Sequence, residues 1–143
     1  MPELLIQPWL TLTALRRLGF TRYGTVSDGA VPLFEIEADY DEDRQAVNCV
    51  YAFAFAGLAV RVGKAARMGA RMNSYQRHVT ARLMDFRADR QVQTTLREAL
   101  GWLHLLNRHQ KGEVYFISSC ADPRQLETKL ISMHTLPLNW TRQ

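Results

Sequence analysis

No apolar run in this chain approaches the eighteen or more residues that a bilayer crossing requires. The first ten residues contain Glu3 and Pro8, without a basic start or a small-residue cleavage site. No secretory leader is therefore expected, and a cytoplasmic location is. Cysteine is scarce, with only Cys49 and Cys120, too few for a disulfide framework, which predicts free thiols in a reducing compartment. Internal repeats and low-complexity tracts are absent. With 143 residues, 47% of them hydrophobic, the chain can bury one ordinary core and is expected to form a single globular domain.

Acidic residues are outnumbered, 14 against 18 Lys and Arg. A net charge of +4 leans towards a polyanionic partner, but a small surplus of this kind is common. Its distribution says more. Arg61, Lys64, Arg67, Arg71, Arg77, Arg82, Arg87 and Arg90 face only Asp85 and Asp89 within one stretch, so the rest of the chain is slightly acidic. A solvated helix face would explain such a run, and a phosphate-binding surface would explain its concentration.

Thr11 and Thr13 can cap a short helix that runs through Leu18 and ends at Gly19. "FTRYGTVS" and "VPLFEIEA" alternate around Asp28-Gly29 as a hairpin would. Together they form an N-terminal appendage, residues 1–47, expected to cover the main sheet. The acidic "DYDEDR", residues 39–44, reads as a solvated connection to the core of residues 48–143, with a metal site as the second reading. "NCVYAFAF" and "LAVRVG" predict an antiparallel hairpin turning at Ala56-Gly57. A helix directly after Gly63 would carry Met68, Met72 and Tyr75 on one stripe, with Arg71 beside Tyr75. A second helix near 93–109, with Leu96, Leu100, Leu103, Leu106 and Trp102, reads as core, in a helical insertion around 77–109. "GEVYFISSC" follows as a strand, and Asp122-Pro123 starts a helix to about His134. The expected class is α/β in the α+β sense: a small antiparallel three-stranded sheet flanked by helices, plus the N-terminal helix and hairpin.

Gly63-Lys64 after a strand is a faint phosphate-loop signal that fails twice: Gly57 is one residue too far upstream, and Ala65 replaces the hydroxyl that would hold magnesium. His104 and His109, five apart, face away from each other and have no paired Cys or carboxylate. Glu127 is more informative, because Leu130, Ile131 and His134 follow at i+3, i+4 and i+7 and give it an apolar helix side. A carboxylate there is either paired with a basic residue or holds a cation, and the pattern alone leaves both readings level. Tyr51 and Tyr75, each taken singly, read as core residues with a polar tip.

Taken together, these residues resemble the GIY-YIG nuclease family. Cys49-Val50-Tyr51 stands at the first tripeptide and Arg61-Val62-Gly63 at the second, and Lys64-Ala65, Arg71 and Ser74-Tyr75 are similar to the excision-repair version of the motif. "LETKLISMHTLPLNW" resembles the closing signature, with Glu127 as its acidic residue and Pro137 and Asn139 behind it. The likeness runs from about residue 48 to residue 140. Arg61 replaces the second motif tyrosine, and residues 1–47 have no counterpart.

The resemblance implies a DNA endonuclease that hydrolyses phosphodiester bonds at a single-metal site. Glu127 would hold one Mg²⁺ or Mn²⁺. Tyr51 would take the proton of the attacking water, aided by nearby cations such as Lys64. Arg71 would bind the phosphate bidentately, and Tyr75 would orient water or a phosphate oxygen. Arg61, Lys64, Arg67, Arg71 and Asn139 are the candidate phosphate contacts, Asn139 more through local hydrogen bonding. DNA, duplex or branched, is the expected partner, with no membrane and with a homodimer or partner chain able to supply specificity. The alternative is a catalytically impaired DNA-binding module that keeps the basic groove; a purely structural domain leaves the motif unexplained.

Overall fold

The computed structural model describes residues 8–29, 34–87 and 96–139. Residues 1–7, the start of the second hairpin strand at 31–33, the beginning of the helix expected from 93, Arg90 and Trp140 lie outside them. The elements run α1 (Leu12–Arg17), β1 (Thr21–Asp28), β2 (Phe34–Ala38), a 3-10 turn (Asp41–Gln45), β3 (Val47–Phe55), β4 (Leu58–Arg67), α2 (Met68–Arg87), α3 (Leu96–His109), β5 (Lys111–Ile117) and α4 (Pro123–Met133). The class is the expected mixed one, but the sheet has five strands rather than three, in the order β2-β1-β5-β3-β4. The N-terminal hairpin does not cover the main sheet: β1 pairs antiparallel with β5 and extends it.

Among the described residues no helix is long and apolar enough to cross a membrane. Thr11 caps α1, its side chain accepting from the Ala14 amide at 3.1 Å, and Gly19, at φ +97°, ends the turn that follows. The β3–β4 turn is Ala56-Gly57, both with positive φ, which gives the twist that two-residue hairpins favour.

Strand alternation sorts side chains onto two faces. Cys49, Tyr51, Phe53 and Phe55 join Met68, Met72, Tyr75, Val79 and Leu83 of α2 and Trp102 and Leu106 of α3 in one cluster. Val50, Ala52, Val62 and Tyr115 join Leu15 of α1 and Leu130 of α4 on the other face. Leu100, expected in the core, is 46% exposed; it lies about 160° around the helix from the buried Trp102, since two residues turn an α-helix by roughly 200°.

Unpaired strand edges recruit other strands, and both edges of this sheet are engaged by neighbouring parts of the chain. At β2, the Phe34 amide donates to Thr80 Oγ1 at 3.2 Å and the Ile36 amide to Gln76 Oε1 at 2.8 Å, both from α2. At β4, Asn139 accepts from the Val62 amide at 2.7 Å and donates to the Val62 carbonyl at 2.8 Å. The Leu138 amide continues the pairing, donating to the Val60 carbonyl at 2.9 Å.

Candidate active site

Tyr51 sits in the middle of β3, directly opposite Gly63 on β4. The pairing needs glycine there, because a Cβ on residue 63 would run into the Tyr51 hydroxyl. The Tyr51 ring is fully buried and meets Phe53 edge-on at 5.7 Å and Tyr75 edge-on at 6.2 Å. Only its hydroxyl end reaches a charged group. Arg71, in the first turn of α2, donates from Nε to Tyr51 Oη across 3.3 Å.

The Arg71 guanidinium is held above its ordinary pKa range, first by the phenol charge of Tyr51 and then by the hydrogen bond to it. Tyr75 and Glu127 add to this, against the opposing effect of burial. Glu127 reaches Arg71 only through this electrostatic influence, from α4 on the other face of the sheet. Tyr51, Arg71 and Tyr75 thus meet from β3 and α2.

Glu127 is half-buried. Its helix is started by Asp122, whose side chain accepts from the Gln125 amide at 3.0 Å, with Pro123 in the first turn. Leu130 anchors the helix and is 3% exposed. Among the described residues no basic group lies within ion-pair distance of Glu127, the ion pairs being Arg22–Asp39, Arg22–Glu113 and Arg44–Asp41. Nor do three or more His, Cys, Asp or Glu side chains gather among the described residues. A hard cation completed by water fits one carboxylate of this kind, whereas a closed all-protein cage does not.

The basic segment is organised differently from its helical spacing. β4 continues to Arg67, so Gly63 and Lys64 are strand residues and not the start of a helix. Lys64 is exposed, pairs with Val50 and shares a strand side with Val62, on the α4 face. Tyr51 and Gly63 belong to the opposite, α2 face. Of the basic residues 61, 64, 67 and 71, Arg71 alone comes from the helix, and Arg67 is exposed at the strand end beside Val47.

Arg61, paired with Phe53, turns inward. Its Nη1 donates to the Leu138 carbonyl at 2.6 Å, and its Cζ lies 5.5 Å from the Tyr75 ring centroid. Asn139 uses both ends of its amide on Val62. The restraints exerted by Gly63 on Tyr51 and by the Leu138 carbonyl on Arg61 escape motif reading. A glycine opposite a large aromatic would have exposed the first once the strand register was set; the second is a backbone contact with no sequence signal.

No protein-family model matches the chain, and no curated protein matches it. Its fold is similar to the solved structure of restriction endonuclease HPY188I in complex with product DNA. The likeness covers 80% of this chain and 68% of that one, at a TM-score of 0.53 and 14% identity. The fold is thus one that a nuclease uses.

Proposed function

We propose that this chain is a DNA endonuclease of the GIY-YIG type. The observation that carries the reading is the Arg71 Nε contact with Tyr51 Oη, on a guanidinium that also feels Glu127, within a nuclease fold. Phosphodiester hydrolysis needs a proton acceptor for the attacking water and positive charge on the phosphate oxygens. Arginine is a donor only, so in its contact with Arg71 the Tyr51 oxygen is the acceptor; in its ionised form this oxygen would take the proton of the attacking water and return to the neutral phenol. The remaining guanidinium donors of Arg71 suit a phosphate oxygen, and the planar fork favours bidentate binding.

Glu127 would hold a Mg²⁺ or Mn²⁺ ion, which when bound neutralises charge on the phosphate and stabilises the leaving oxygen. Tyr75, ring to ring with Tyr51, would orient water or phosphate. Lys64 and Arg67, exposed along β4, are the proposed electrostatic contacts to neighbouring phosphates. The test is magnesium-dependent nicking of supercoiled plasmid by the purified chain. Cleavage that disappears in excess chelator is the expected result. DNA binding without any cutting would favour the second reading, a catalytically impaired DNA-binding module, which the inward engagement of Arg61 at the second motif tyrosine supports.

A further inference from the structure

Arg61 stands where the motif has a phenol, and its guanidinium is committed inward. Nη1 is bonded to the Leu138 carbonyl at 2.6 Å. Nε is buried with no hydrogen-bond partner among the described residues. The Cζ lies 5.5 Å from the Tyr75 ring centroid, within cation–π range. Swinging out to a phosphate would break the short bond, strand the Leu138 carbonyl and remove the cation from the ring.

The groups that Arg61 joins belong to different parts of the site. Tyr75 lies on α2, four residues from Arg71. Leu138 follows α4, which carries Glu127, and its amide is tied to Val60 while the neighbouring Asn139 is tied to Val62. Leu138 also packs against Gly101 of α3, where a Cβ would have to displace its Cδ2 methyl. One guanidinium thus fastens the segment behind α4 to the β4 edge and to the tyrosine that packs on Tyr51.

We propose that Arg61 is a positioning residue: it holds Tyr75 and the segment after α4 in register instead of contacting the DNA backbone. The assignment rests on the nuclease reading for its effect on rate, but the tether itself does not. Arg61→Gln keeps a donor for Leu138 and removes the charge from the ring. Its single-turnover rate at saturating DNA should fall about 10²-fold, the order expected when a reacting group is misplaced by about 1 Å. Affinity and the salt dependence of binding should not change. A phosphate ligand would behave in the opposite way, losing about 0.9 of salt slope with the rate at saturation preserved, and that result, or no change in either quantity, overturns the proposal.

The second measurement is amide hydrogen exchange in Arg61→Ala, read at Leu138 and Val62, where faster exchange is expected. Should Arg61→Ala fail to fold, Arg61→Lys takes its place, since its compact ammonium lacks the planar guanidinium that spans the carbonyl and the ring, and the same direction is expected. Unchanged exchange overturns the tether. If the wild-type chain never cuts DNA, the nuclease reading fails while exchange still decides the tether.

Discussion

Arg71 donates to the Tyr51 hydroxyl across 3.3 Å, joining the first turn of a helix to the middle of a strand twenty residues earlier. The contact predicts two separable losses. Tyr51→Phe keeps the ring that packs on Phe53 and Tyr75 and removes the proton acceptor, so cleavage should fall by about 10²–10⁴, the usual worth of general base catalysis. DNA affinity and thermal stability should hardly move. Arg71→Lys keeps the charge and loses the fork, so the single-turnover rate should drop far more than binding weakens. Equal rates for Arg71→Lys and the wild type would remove Arg71 from the chemistry.

Glu127 has no ion-pair partner among the described residues, so Glu127→Gln should leave stability within about 0.5 kcal/mol, as for a substitution away from the core's special features. Metal-dependent nicking should vanish. Comparing magnesium titrations of the two proteins, with denaturant melts as the control for folding, checks both halves. Full cleavage by Glu127→Gln would show that the cation, if required, is held elsewhere.

Gly63→Ala tests the strand register. The added methyl must displace the Tyr51 hydroxyl, and the ring has little room to move between Phe53 and Tyr75. Overpacking of this kind costs about 1–3 kcal/mol. Activity should fall further than that stability loss accounts for, because the displaced atom is the proposed proton acceptor. A fully active, fully stable Gly63→Ala protein would mean that the hydroxyl is not needed where it stands.

Much of this arrangement was legible because local pattern and tertiary structure agree. The Ala56-Gly57 turn, the Met68/Met72/Tyr75 stripe and the Asp122-Pro123 helix start follow from turn chemistry, helical period and capping, and all three appear in the fold. Of the candidate site, the nearness of Arg71 and Tyr75 follows from helical spacing, and the helix brings both against Tyr51; the placing of Glu127 beside them rests on the motif resemblance. Two elements were not legible, for physical reasons. Ala65 and Ala66 favour helix by intrinsic propensity, but pairing of Cys49 with Ala65 and of Val47 with Arg67 extends β4, as tertiary pairing overrides weak propensity. That extension puts Lys64 on the other side of the sheet from Tyr51. The five-stranded sheet was hidden because its decisive pairing, β1 with β5, joins segments about ninety residues apart, and register across such a separation leaves no periodic trace.

Cys49 gives the fold a dependence on alkaline pH. Its thiol is fully buried and pushed up to about 11, first by burial and then by the nearby Cys120. The folded state therefore keeps a proton that the unfolded chain releases near its ordinary value of 9.0. Stability from this group is fully present below about pH 9 and is lost as pH rises towards 11, by an amount on the order of 2–3 kcal/mol at most. Tyr23, also raised by burial, adds a loss of the same sign above pH 10. Urea melts of the wild type and Cys49→Ala at pH 8 and pH 11 isolate the thiol. The variant should begin somewhat less stable, through the lost packing, and then lose less between the two pH values, keeping the Tyr23 part of the decline. Parallel alkaline losses in the two proteins would show that Cys49 ionises no differently when folded.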